Sequence, residues 1–284
     1  MDIRRRDFIK ITAAVILSSG AGQDLLAGIA NAAPAQPENN DSYVKDYLHK
    51  IHNFNQPHKD DIYLGKAQRR ILKSSVARLR RLQKTVGHAN FYLLSFDDAL
   101  KISRGYSRVG RFSKAEINFL ESIFYENSSK YGFFGEKPFK DITTRIQKQE
   151  VVKIKHTGNY LYRGESYATY NKIKKEIGDN VILTSGIRSI IKQFLLFLDK
   201  ACRNKGNLSL ASRSLAPPGY SFHGIGDFDV GQVGFGYDNF TERFTTTDVF
   251  KKLQKFGYIN LRYQRNNLLG VRFEPWHIKT SNNA

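Results

Sequence analysis

The stretch SFHGIGDFDVG, residues 221–231, sets His223 ahead of two aspartates, Asp227 and Asp229, and EPWH, residues 274–277, sets Glu274 three positions before His277. Imidazole and carboxylate groups are the donors of a hydrolytic zinc site, which needs three nitrogen or oxygen ligands, an open position for water and a carboxylate to take that water's proton. His223 and Asp229 offer two donors from one loop-strand segment. His277 adds a third, with Glu274 in reach of the water. Taken singly these residues carry little, because a lone histidine is usually a hydrogen-bonded surface or core residue and an aspartate such as Asp229 suits an Asx turn. Asp227, four positions after His223, is a second candidate carboxylate donor. On an extended strand Phe228 turns away from both acids, so Asp227 and Asp229 share a face.

The elements that must position these groups follow from periodicity. Ile71, Leu72, Val76, Leu79, Leu82 and Val86 recur at three- and four-residue steps, which predicts an amphipathic helix over 66–86 with a basic outer face. SKAE (113–116) is a capping box opening a second helix. Residues 43–150 therefore read as a mainly helical region, behind a polar, proline-bearing linker at 33–42. His49, His52 and His58 lie in a polar stretch of this region and read as solvated side chains.

After residue 150 the pattern changes. VILTS (181–185) suits a buried strand, and SIIKQFLLFLDKACR (189–203) a helix with Ser189 as N-cap. SLAPPGYS (214–221) is a rigid loop, and TTTDVFKKLQKFG (245–257) a capped helix closed by Gly257. YINLRY (258–263), LLGVRF (268–273) and EPWHIKT (274–280) are strand-like, with QRNN (264–267) as a turn. The expected class is α+β: a small antiparallel sheet with flanking helices over 151–284, preceded by the mainly helical region.

Bulk properties narrow the partners. The 45 Lys and Arg residues against 26 Asp and Glu give a formal charge of +19, which favours an anionic partner such as a nucleic acid, an acidic membrane face or a wall polymer. The single cysteine, Cys202, excludes an internal disulfide and a Cys-rich zinc site, and its apolar helical surroundings predict a buried, inert thiol. At the N-terminus, RRRDFIK (4–10), a short apolar run and Ala30-Asn31-Ala32 make an export signal over 1–32, of twin-arginine type, engaging the machinery that carries folded proteins. The apolar run is well short of the ~20 residues a spanning helix needs, so no membrane insertion is expected after cleavage. A periplasmic or otherwise exported protein does not meet nucleic acid, which removes that partner despite the charge.

The order SGIRS with Gln193 (185–193), APPGYSFH (216–223), DFDVG (227–231) and EPWHI (274–278) resembles the VanY-type D-alanyl-D-alanine carboxypeptidases, zinc peptidases that share a fold with the hedgehog signalling domain. Their motifs are Ser-Gly-Tyr-Arg-Ser, Ser-x-His-x-x-Gly-x-x-x-Asp and Glu-x-Trp-His, and the likeness spans about residues 155–280. The resemblance implies zinc held by His223, Asp229 and His277, with Glu274 as general base and Arg188 stabilising the oxyanion. It further implies Ser221 on the substrate backbone, with Gln193 and Ser189 assisting at the substrate and Gln193 at its terminal carboxylate.

Two departures stand out. Ile187 replaces the tyrosine, and the five residues between His223 and Asp229 are one fewer than the family has. Alignment of FDVG favours Asp229 over Asp227, which would then orient His223 from behind. The implied activity is trimming of terminal D-alanine from peptidoglycan stem peptides. An LD-carboxypeptidase, a peptidoglycan endopeptidase and a non-catalytic wall-binding protein on the same fold are the alternatives. The likeness does not reach 43–150, which is then a family-specific extension or a wall-targeting module.

Overall fold

The computed structural model describes residues 41–280. The expected export signal and most of the expected linker lie outside the described residues. Among the described residues the first element is α1 (Asp41–His52), which starts slightly before the expected end of the linker, and the described residues from Lys45 onward belong to one compact unit.

Four further helices follow: α2 (Lys66–Val86), α3 (His88–Phe91), α4 (Phe96–Gly105) and α5 (Lys114–Tyr125). The predicted α2 period is the buried face, where Leu72, Val76, Leu79 and Leu82 are within 3 % of full burial. Its arginines and lysines face outward except Arg78, whose Nε donates to Glu116 Oε2 at 3.0 Å and ties α2 to α5. Glu116 also closes the predicted capping box, accepting from Ser113 N–H at 2.8 Å while Ser113 Oγ accepts from Glu116 N–H at 3.1 Å.

A two-stranded antiparallel ladder, β1 (Val151–Lys153) with β2 (Tyr160–Tyr162), precedes α6 (Glu165–Ile177). The remaining elements are β3 (Val181–Ser185), α7 (Ile190–Arg203), α8 (Leu208–Ser212), β4 (Phe228–Gln232), α9 (Asp248–Lys255) and β5 (His277–Ile278). Strands β3, β4 and β5 form an antiparallel sheet with β4 in the middle. The fold is thus the expected mixture of helices and small antiparallel sheets behind a helical region.

Two large apolar clusters and a small third one hold it together. One joins α2, α4 and α5 to α7, with Leu79, Leu120, Phe124, Phe194 and Phe197 at its centre. The second packs α6 and α9 on the three-stranded sheet through Ile173, Phe228, Val230, Leu253 and Trp276. The helices before residue 150 therefore share a core with α7, the helix that opens directly behind Arg188. Cys202 departs from expectation in being half-buried at the edge of that core.

The segment between α9 and β5 also departs from the sequence reading. Neither 258–263 nor 268–273 is a strand, and only His277–Ile278 pairs with the sheet. The alternating pattern is present, but the backbone groups are claimed by distant segments: Phe134 N–H donates to Leu269 O at 2.9 Å and Arg272 N–H to Arg213 O at 2.8 Å. Gly270 makes the first of these approaches possible, since a Cβ there would lie 2.3 Å from Gly132 O. Among the described residues no helix is long and apolar enough to cross a membrane.

Candidate functional site

The register of β4 against its neighbours builds the site. Asp229 pairs with Ser185 on β3 and with His277 on β5, so one position of the central strand lies between the first and last of the sequence motifs. His223 arrives from a short 3₁₀ turn, Phe222–Gly224, after the proline loop. Its Nδ1 lies 2.9 Å from Gly186 O, which leaves Nε2 facing Asp229 Oδ1 at 3.2 Å. His277 presents Nδ1 to the same oxygen at 3.1 Å, while its Nε2 is 2.9 Å from Asp227 Oδ2. One donor atom from each of His223, Asp229 and His277 falls within 4.8 Å of the others, and all three residues are buried.

This donor set fits a divalent cation. Each imidazole keeps one nitrogen for the centre and anchors the other on a carbonyl or carboxylate behind it, the arrangement that fixes tautomer and orientation in histidine metal sites. The electrostatics agree. Burial and the Arg188 charge hold His223 below its ordinary pKa, as a neutral donor. Burial opposes a charge on His277 too, but the bonds to Asp227 and Asp229 outweigh it and raise it to about 9. A proton on His277 therefore supplies, between two carboxylates, the positive charge a metal would bring, and metal binding would release it. Burial also opposes the charge on Asp229, yet His223 and Arg188 hold the carboxyl well below the usual carboxylate range.

Asp227 is completely buried and does not join the cluster. Its carboxylate accepts from Arg262 Nε at 2.8 Å and from Thr280 N–H at 3.1 Å, in addition to meeting His277. The sequence reading had Asp227 orient His223; the ring it braces is that of His277, because the short 3₁₀ turn aims His223 at Gly186 instead. Asp227 directly precedes β4, and both it and Asp229 meet the His277 ring while Phe228 packs into the core.

Arg188 donates through Nη2 to Asp229 Oδ2 at 2.7 Å and through Nε to Ser185 Oγ at 2.9 Å. Together with Ser221, Glu274, Tyr263, Ser214 and Arg272 it lines a small cleft over the cluster, of about 80 Å³. That is roughly the volume of two or three water molecules, so a substrate end must enter from the open side. Glu274 stands in the cleft wall, where burial, only partly offset by Arg272 and His277, pushes its carboxyl up to about 7. A carboxyl so poised takes and returns protons near neutrality.

Two residues expected at the substrate do not reach the cleft. Ser189 is buried as the N-cap of α7, accepting from Lys192 N–H at 3.4 Å and donating to Phe91 O at 3.3 Å. Gln193 spends its amide on the chain: Nε2 donates to Arg188 O at 2.9 Å, and Oε1 accepts from Gly219 N–H at 2.8 Å, pinning the proline loop to α7. Tyr263, Ser214 and Arg272, which no motif flags, line the cleft in their stead. Their only trace in the sequence is the place of Ser214 at the head of SLAPPGYS and the nearness of Tyr263 and Arg272 to EPWH.

Residues 165–281 match the family model VanY, D-alanyl-D-alanine carboxypeptidase. The matched VanY stretch runs from α6 to the end of β5 and contains every residue of the cluster, which upholds the resemblance read from the motifs. It supports an activity of the D-alanyl-D-alanine carboxypeptidase type in general, and a peptidoglycan setting. The helices before residue 165 lie outside the VanY match. Among curated proteins none matches the chain.

A packing constraint links this site to β2. A Cβ on Gly186 would lie 2.1 Å from Tyr160 O, the carbonyl that accepts from Ile187 N–H at 2.9 Å. Gly186→Ala is therefore expected to destabilise the protein by on the order of 1–3 kcal/mol, as overpacking does. Because Gly186 O anchors His223, metal affinity should fall as well. Thermal unfolding with and without zinc measures both, and an unchanged midpoint would contradict the close packing.

Proposed function

We propose that the protein is an exported zinc-dependent carboxypeptidase that removes terminal D-alanine from peptidoglycan stem peptides. The observation that carries this reading is the convergence of His223, Asp229 and His277 within 4.8 Å, beneath a cleft whose wall holds Glu274. The three residues would hold the zinc, which when bound supplies Lewis-acid polarisation of the scissile carbonyl and an acidified water. Glu274 takes the proton of the attacking water and returns it to the leaving amine. Arg188, tethered by Asp229 and Ser185, lends its positive charge to the oxyanion as the carbonyl carbon becomes tetrahedral, and Ser221 receives the peptide backbone. Residues 151–284 carry this chemistry, and the helices of 43–150 brace α7 and so the approach to Arg188.

The twin-arginine-type signal supports delivery of a folded protein to the periplasm, where its substrate is. The excess of basic residues suits an anionic wall. Digestion of purified muropeptides of differing stem length, with the products identified, tests the reading. Release of D-alanine from pentapeptide stems by protein holding about one zinc is the expected result. Cleavage between cross-linked stems instead would make it an endopeptidase, and inertness on every stem would leave a wall-binding protein.

A further inference from the structure

The cleft contains a cation and a hydroxyl that the reaction above does not use. Arg272 lies against two rings, its Cζ 4.6 Å from the centre of Phe54 and 4.8 Å from that of Trp276. Its Nε is buried with no hydrogen-bond partner, and its charge is felt by Glu274 in the same cleft. Asp238 and Glu242 line the hollow on its far side, but Arg243 holds the first at 2.6 Å and Arg265 the second at 2.5 Å. Ser214 is 7 % exposed, and its Oγ also lacks a partner. The bond from Arg272 N–H to Arg213 O runs the two segments side by side, so both groups border the same wall of the cleft.

A buried guanidinium Nε–H and a buried hydroxyl left without partners cost free energy unless a ligand completes them. Contact with both rings limits the rotamer freedom of the arginine, which lowers the entropy cost of a two-point contact with a planar anion. With Gln193 committed to the chain, the role of anchoring a carboxylate is open in this cleft.

We propose that Arg272 and Ser214 form a carboxylate-binding subsite, distinct from the Arg188 position, that selects substrates by an anionic group. This rests on the peptidase reading above and deepens it. The carboxylate is either the C-terminus of the peptide or an acidic side group of a stem residue; both present the same planar anion.

Three stem peptides separate the sources: one with all carboxylates free, one amidated at the C-terminus, and one amidated on its acidic side groups. For the wild-type protein one amidation should raise KM by about 10- to 100-fold with kcat held within a few-fold, the weight of a charge-assisted hydrogen bond. Arg272→Met, which keeps an apolar stem beside the two rings, should raise KM equally for the free peptide and leave the KM of the peptide lacking the recognised group unchanged. Arg272→Lys should restore part of the loss, and Ser214→Ala should show a smaller loss with the same selectivity.

An Arg272→Met effect of equal size on all three peptides, or a shifted pH profile without selectivity, would mean the arginine acts only on packing or on Glu274, and would overturn the subsite. If the wild-type protein cleaves none of the peptides, the peptidase reading has failed. Calorimetric binding of the free and amidated peptides to wild-type, Arg272→Met and Ser214→Ala protein then reads the subsite alone, and affinity indifferent to amidation overturns it. Thermal unfolding of each variant identifies misfolding, in which case Ser214→Ala and Arg272→Lys carry the comparison.

Discussion

Glu274→Gln is expected to lower the rate of stem-peptide cleavage by about 10²–10⁴-fold, the usual weight of a positioned general base. Glutamine keeps the shape and a carbonyl oxygen but takes no proton, so the loss should fall on kcat with little change in KM or in metal content. The surroundings explain why this carboxyl is suited to the task. It lies in a low-dielectric wall that pushes it up to about 7, with the Arg272 and His277 charges pulling the other way. A base must be ionised to act, so activity should fall as pH falls through its pKa. A cation held beneath it favours the carboxylate, which moves that acid limb below 7 in the metal-loaded protein. Rate profiles of wild-type and Glu274→Gln protein at matched zinc content check this, and a variant that retains more than a tenth of the activity would remove Glu274 from proton transfer.

Asp229→Asn and Asp227→Asn should part company in metal binding. Asp229 Oδ1 is 3.2 Å from His223 Nε2 and 3.1 Å from His277 Nδ1, so losing its charge removes a ligand and leaves Arg188 without its acidic partner. Stoichiometric zinc and hydrolysis should both be lost. Asp227 stands on the far side of the His277 ring, where its removal should weaken metal affinity by about 10- to 100-fold without abolishing binding, as for other groups that orient a ligand. Competition against a chelator of known affinity measures both. Complete loss of zinc with Asp227→Asn and retention with Asp229→Asn would reverse the assignment and make the shorter His-x-x-x-Asp spacing the metal-binding one.

The spacing that made Asp229 doubtful has a local resolution. One residue fewer between histidine and aspartate would misdirect a donor if both lay on one strand, but His223 is on a 3₁₀ turn and Asp229 on β4. The intervening Gly226, at φ 140°, takes a conformation that few other residues adopt, and lets the chain make this change of direction in a short span. Ile187, where the family has tyrosine, is buried in a small apolar cluster with Ile146 and Val151, so at this position the chain has packing rather than a hydroxyl.

What the sequence determined by itself is the part governed by neighbours along the chain. Ser113, Ser189 and Thr247 cap helices as their types and following residues dictate, and Thr247 Oγ1 accepts from Phe250 N–H at 3.1 Å. The apolar period of α2 and α7 chose their buried faces, and the order of motifs picked out the three residues that cluster. Only the tertiary structure decided which partners meet across the chain. Asp229 bridges Ser185 and His277 because β4 lies between two strands from opposite ends of the VanY stretch. Residues 258–273 lost their strand character because their backbone groups bond to Arg213 and the 132–134 turn, contacts no alternation pattern encodes. Gln193 was drawn from substrate to scaffold by Gly219, and Ser214 joined Arg272 at the cleft, for the same reason: period and capping act within a turn or two, whereas the facing of a side chain into a cleft is fixed by long-range packing.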